Sequence, residues 1–158
     1  MSTAVATIKT EQILEEVKNI LAREVTRDEK LFAICELLDD NFDAFDWTGF
    51  YMADPDGEPF LVLGPFVGEA TDHTRIPYGT GICGQVAESH KTFLVDDVSH
   101  QSNYLACSVN VKSELVVPVM KEQLFVAQLD IDSHTVNAFT KNHVELVEEI
   151  CMLIASEF

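Results

Sequence analysis

Ser113-Glu114-Leu115-Val116-Val117-Pro118-Val119-Met120, then Lys121-Glu122-Gln123, then Leu124-Phe125-Val126-Ala127-Gln128-Leu129-Asp130-Ile131-Asp132: two apolar runs of strand length stand on either side of a three-residue connection. A connection that short joins antiparallel neighbours, whereas a parallel pair needs a crossover of a dozen residues or more. The two runs therefore predict a β-hairpin. Side chains two residues apart share a face, so Asp130 and Asp132 project to one side, about 7 Å apart by strand rise. Phe125, Ala127, Leu129 and Ile131 are expected on the other side, toward the core. If the strands pair, Glu114 joins the two aspartates, and three acids converge on one cavity.

The same hairpin logic extends outward. Trp47 to Met52 reads as a strand, Asp54-Pro55-Asp56-Gly57 as a turn and Pro59 to Phe66 as the next strand. Gly68 to Gly84 has loop chemistry, with a short helix expected from Cys83 or Gly84 to about His90. Thr92 to Val95 reads as a short strand and Asp96 to Lys112 as a long irregular segment, of a length that is often functional. Helical periodicity governs both ends. Residues 11–25 form a first helix behind a Thr10 cap, with Ile13, Leu14, Val17, Ile20 and Leu21 on one face. A second begins near Thr26 or Asp28 with Leu31, Cys35, Leu38 and Phe42 as its stripe, and Thr140 caps a last one. The order is α+β, with helices packed on one face of an antiparallel sheet.

The 158 residues hold 27 acids against 10 lysines and arginines, a net charge of −17. Residues 1–60 carry 14 acids and 5 bases, and residues 61–158 carry 13 and 5, so the excess is spread along the chain. Such a field argues against nucleic-acid and anionic-membrane partners. Hydrophobic residues at 47% argue against disorder. No signal peptide and no run long enough to span a membrane is found, which gives a cytoplasmic expectation and reduced thiols.

The four cysteines show no CxxC spacing. Cys35 and Cys151 fall on helix stripes and read as core. Cys83, in Gly79-Thr80-Gly81-Ile82-Cys83-Gly84, lies where glycines let backbone approach a ligand and where a helix start would lower a thiol pKa, although such a turn also occurs without function. Cys107, in Tyr104-Leu105-Ala106-Cys107-Ser108, lies in the long loop with no apolar period around it, and reads as reactive, metal-bound or accidental. Crowding would raise one of the three carboxyls into a proton donor and leave the others to hold an ammonium; a solvated sheet face is the alternative. Trp47 and Tyr51 share a strand face and could wall a pocket or simply fill the core. Arg75 is a candidate partner for a substrate carboxylate or a nearby acid. The five histidines form no ligand-spaced cluster.

These pieces coincide with a known pattern. From Trp47 onward the chain resembles the free methionine-(R)-sulfoxide reductases, which are stand-alone GAF domains. The matching stretches are Asp46-Trp47-Thr48-Gly49-Phe50-Tyr51, Leu63-Gly64-Pro65-Phe66, Arg75-Ile76-Pro77 running into Gly81-Ile82-Cys83-Gly84, Ala106-Cys107, Ser113 to Pro118, and Leu129-Asp130-Ile131-Asp132-Ser133. The resemblance implies one GAF domain over 1–158, with N-terminal helices in 11–42, the sheet and active-site loops in 46–133 and a C-terminal helix in 140–156. It implies six antiparallel strands and loops closing a ligand pocket.

It also implies roles. Cys107 stands at the catalytic thiol; Glu114, Asp130 and Asp132 at acids that bind the substrate amine and assist the chemistry; Trp47 and Tyr51 at pocket aromatics; and Cys83 at a second cysteine. Where many members carry a resolving cysteine, this chain has His73. Recycling of Cys107 then falls to Cys83 or to an external thiol. The implied activity is reduction of free L-methionine (R)-sulfoxide through a sulfenic acid and disulfide exchange, without metal or organic cofactor. The expected partners are the sulfoxide, thioredoxin or a small thiol, and a second copy in a homodimer. Two rivals remain: a non-catalytic GAF sensor of a small molecule, which the absence of an output domain counts against, and a thiol or metal sensor built on His73, Cys83 and Cys107.

Overall fold

The computed structural model of the protein describes residues 3–101 and 110–158. The hairpin expected from the two apolar runs is its centre. Strand β5 (Ser113–Lys121) pairs with β6 (Leu124–Ser133) from Ser113 opposite Ser133 to Lys121 opposite Leu124. The connection is tighter than the sequence suggests, because Lys121 belongs to β5. Glu122 and Gln123 alone make the turn, both at positive φ (51° and 71°), the backbone that two-residue hairpins require.

Around this pair the chain runs α1 (Thr3–Leu21), α2 (Arg27–Asn41), β1 (Trp47–Ala53), β2 (Phe60–Val67), β3 (Arg75–Pro77), α3 (Gly81–Ser89), β4 (Phe93–Val95), then β5, β6 and α4 (Lys141–Ile154). The six strands form one antiparallel sheet in the order β3-β2-β1-β6-β5-β4. Helices α1, α2 and α4 cover one face. Ile13, Val17, Leu31, Ile34, Leu38, Val147 and Ile150 meet Phe50, Leu115, Val117, Leu129 and Ile131 there, all buried. Burying each such side chain contributes roughly 1.5–3 kcal/mol before chain entropy is subtracted. Cys35 and Cys151 lie in this layer, and burial pushes both thiols well up, as core cysteines should be. Helix ends follow their caps: the Thr26 hydroxyl accepts from the Glu29 amide, and Thr140 with His143 forms a reciprocal capping box.

The opposite face is covered by α3 and neighbouring loop residues. Trp47, Tyr51, Leu61, Ile76, Ile82, Cys83, Val86 and Val116 make a second apolar cluster. Helices therefore stand on both sides of the sheet, three in one layer and the short α3 in the other.

Several features differ from the sequence reading, among them the start of α3 at Gly81 rather than at Cys83 or Gly84. Helix α1 begins at Thr3 rather than at a Thr10 cap and ends at Leu21 rather than 25; residues 3–9 contain no glycine or proline to stop it. Arg75–Pro77, within the stretch read as loop, is the sixth strand, paired with β2 from Phe60 opposite Pro77 to Val62 opposite Arg75. A proline fits there because β3 is an edge. Phe125 faces the α3 side rather than the helix layer. The register shifts between Val119 and Met120, and the extra residue on β6 breaks the alternation before Ala127 restores it.

Candidate functional site

The site is built by register. On β1, β6 and β5, Trp47 stands opposite Asp132, which stands opposite Glu114; one row along, Gly49, Asp130 and Val116 align. Three acids on two paired strands thus point to the α3 side, as the period of two predicts. They are not a solvated face: Glu114, Asp130 and Asp132 are 3%, 0% and 1% exposed.

Helix α3 brings a thiol onto them. The Cys83 Sγ donates to Oδ2 of Asp130 at 3.3 Å and lies 3.8 Å from Oε2 of Glu114. The thiol is the donor and the carboxylate the acceptor. At Gly84 a Cβ would stand 2.6 Å from the Pro77 carbonyl oxygen, so α3 approaches the end of β3 closely there.

Crowding has the expected electrostatic result. Burial, then the charges of Asp130 and Asp132, push the Glu114 carboxyl well above the ordinary carboxylate range, and hydrogen bonds from its protonated form to both aspartates add to this. Burial also raises Asp130, but hydrogen bonds from Glu114, Cys83 and Asp132 oppose the rise. Of these two, Glu114 is pushed further toward its protonated form.

Trp47 and Tyr51 lie beside the acids on the same face, rings 6.2 Å apart at 28°, with Phe66 stacked 5.4 Å from the Trp47 ring. Their polar ends are anchored: the Trp47 indole N–H donates to the Glu69 carbonyl at 3.0 Å and the Tyr51 hydroxyl to the His73 carbonyl at 2.8 Å. Gly49 makes this possible, because its absent Cβ would lie 2.5 Å from the Trp47 ring.

Cys107 lies outside the described residues, with Tyr104, Leu105, Ala106 and Ser108. Of the two partners expected for Arg75, the structure shows the nearby acid: its guanidinium meets Asp54 Oδ2 at 3.2 Å and stacks on Phe60. Sequence reasoning missed Gln128. It is fully buried two residues before Asp130 on the same face, and its Nε2 donates to the Cys83 carbonyl at 3.2 Å. The signal was available: Gln128, Asp130 and Asp132 are a polar series at period two inside an apolar strand. No described helix is long and apolar enough to cross a membrane.

A family model described as GAF domain matches residues 26–158. GAF domain-containing protein A of Dictyostelium discoideum is 34% identical over 144 residues, 91% of this chain and 89% of that protein. The free methionine-R-sulfoxide reductase of Escherichia coli (strain K12) is 35% identical over 104 residues, which are 66% of this chain but only 61% of that protein. The X-ray structure of free methionine-R-sulfoxide reductase from Neisseria meningitidis in complex with its substrate is similar with a TM-score of 0.90 and 30% identity, over 100% of this chain and 92% of that one.

Proposed function

The chain belongs to the free methionine-(R)-sulfoxide reductase family of GAF domains, and on that premise we propose that it reduces free L-methionine (R)-sulfoxide to methionine at the expense of thiols. The observation that carries the reading is the row of buried acids, Glu114 and Asp132 across from Trp47 with Asp130 one row away. Such a set offers both a proton and negative charge in a place with little water.

A sulfoxide oxygen leaves poorly until it is protonated, and a thiolate is a soft nucleophile suited to sulfur. Cys107 attacks the sulfoxide sulfur while Glu114, whose carboxyl is raised well above its ordinary range, gives its proton to the oxygen. General acid assistance of this kind is typically worth about 10²–10⁴-fold. The S–O bond breaks, methionine leaves, and the oxygen ends on Cys107 as a sulfenic acid. Asp130 and Asp132 hold the substrate ammonium, which explains a preference for the free amino acid, because that charge is lost inside a peptide chain. Trp47 and Tyr51 wall the thioether. A second thiol, Cys83 or a small external one, then attacks Cys107, releasing water and leaving a disulfide for thioredoxin or a similar reductant. The reaction as written calls on no metal or organic cofactor. The 158 residues act as one GAF unit, alone or as a homodimer, in a reducing cytoplasm.

Turnover of separated diastereomers is the test. With excess dithiothreitol, the free R sulfoxide should give methionine, and the S epimer and a peptide-bound sulfoxide should not. Saturable binding of methionine sulfoxide with no methionine formed would overturn the reductase reading in favour of a ligand sensor.

A further inference from the structure

Three different donor groups meet beneath α3. Ligand atoms of Cys83, Glu114 and Asp130 lie within 4.8 Å of one another, and all three residues are buried. The sulfur stands 3.3 Å from Oδ2 of Asp130 and 3.8 Å from Oε2 of Glu114. In a tetrahedral site with Zn–S of 2.3 Å and Zn–O of 2.0–2.2 Å, a sulfur and an oxygen ligand stand about 3.5 Å apart. The two observed separations bracket that edge.

A separate observation points to a ligand. Asp130 is fully buried, one of its oxygens accepts from the Cys83 sulfur, and apart from the neighbouring carboxyls of Glu114 and Asp132 no donor among the described residues reaches the other, Oδ1. Oε1 of Gln128, two residues before it on the same face, is likewise buried without one. Buried acceptors in native proteins are nearly always satisfied by a donor, an ordered water or a cation. The acids are also crowded enough that some positive species must sit among them, a proton or a metal.

We propose that Cys83, Glu114 and Asp130 bind one zinc ion, with water as the fourth ligand. One thiolate with two carboxylates suits a borderline divalent ion: a magnesium site would be all oxygen, and a copper(I) site would be richer in sulfur. On binding, the thiol proton and the proton held among the carboxyls leave to solvent. The thiolate and two carboxylates bring three negative charges and the ion two positive ones, so the filled cluster carries a single negative charge. The net charge of −17 concentrates cations at the surface. Zinc is no part of the reduction. If the acids hold the substrate ammonium as proposed above, zinc and substrate exclude one another, and that clause alone rests on the reductase reading.

The test uses the reduced full-length chain and measures no turnover. Zn²⁺ in competition with a chromophoric chelator should bind at one equivalent per chain with proton release, and Co²⁺ should give a thiolate-to-cobalt charge-transfer band. Cys83→Ser should remove the band and weaken zinc by more than the ~10–100-fold that loss of a merely supporting group costs. Glu114→Gln and Asp130→Asn, which keep side-chain shape, should each weaken binding at least about tenfold. Cys107→Ser and His73→Ala should keep both band and stoichiometry, and thermal melts identify which variants are folded. Binding well below one equivalent, a band that survives Cys83→Ser, or a band lost with Cys107→Ser would each overturn the proposal. A chain that binds zinc but forms no methionine would sink the reductase reading and leave this one standing.

Discussion

The Cys83 thiol donates to the Asp130 carboxylate across 3.3 Å, so α3 and β6 are joined by a proton inside the site. For Cys83 to attack an oxidised Cys107 it must give up that bond. Asp130 is also the group best placed to take the thiol proton as it leaves.

The two thiols should therefore separate in assay. Cys107→Ser should abolish methionine formation under every reductant. Cys83→Ser should cut thioredoxin-supported turnover at least about tenfold while leaving turnover with dithiothreitol within a few-fold, because a small thiol can resolve Cys107 directly. Non-reducing peptide mapping after one turnover should show a Cys83–Cys107 link. A mixed disulfide between Cys107 and the added thiol as the sole product would refute internal resolution.

Glu114→Gln should lower kcat by about 10²–10⁴-fold with a much smaller change in KM, since the proton is delivered in the transition state. The wild-type rate should fall as pH rises through the elevated Glu114 value, and the variant should lose that limb. A wild-type pH profile retained in Glu114→Gln would move the donor role to another group.

Stability should show the same carboxyls with a definite sign. Burial raises Glu114 above its ordinary value of 4.5 and Asp130 above 3.8. The folded chain thus binds more protons than the unfolded one. The contribution of these groups is fully present below their ordinary values and is lost as pH rises through the folded ones, by up to about 1.4 kcal/mol per pH unit for each group. Urea midpoints measured from pH 4 upward should decline less steeply in Glu114→Gln, and that variant should be the more stable one at neutral pH. An unchanged slope would show that Glu114 ionises in the folded chain as easily as in the unfolded one.

Gly49→Ala places a methyl group where the Trp47 ring and the Phe66 Cβ already lie, 2.5 and 2.6 Å away. Overpacking of this kind costs about 1–3 kcal/mol. Because Trp47 is the lone tryptophan, its displacement should appear as a red-shifted emission maximum. A stable variant with wild-type emission would mean that the indole is not fixed across Gly49.

Gln128→Leu removes the amide that holds the Cys83 carbonyl. The carbonyl keeps its place in the helix ladder of α3, so the cost is that of one hydrogen bond, about 0.5–1.5 kcal/mol, and α3 loses an anchor to β6. Amide exchange within Gly81–Ser89 should accelerate relative to the rest of the chain. Uniform protection across both would show that packing alone seats the helix.

The parts of this architecture that repeat locally were legible in the sequence. The β5–β6 hairpin follows from two apolar runs and a short connection, and the shared face of Glu114, Asp130 and Asp132 follows from strand alternation. Helices α2 and α4 announce themselves through Thr26 and Thr140. What stayed hidden depends on contacts far apart in the chain. Three residues ending in proline carry no strand signal until β2 offers a partner, so β3 read as loop. The face of Phe125 depends on a register shift that no composition marks. The bond from Cys83 to Asp130 spans 47 positions and exists because α3 folds back over the sheet. Arg75 could be narrowed to an acid or a ligand, but the choice of Asp54 needed the β1–β2 turn in place.

The irregularity at Val119 and Met120 has a mechanical result. A one-residue slip of β6 against its neighbours would swing Asp130 and Asp132 into the greasy layer beneath α1, α2 and α4. The bulge absorbs such slips, so the distal tip at Glu122 and Gln123 is decoupled from the rows that carry Asp130 and Asp132. Evolution, or an engineer fusing a tag there, is at liberty to rewrite that tip without disturbing the alignment beyond it.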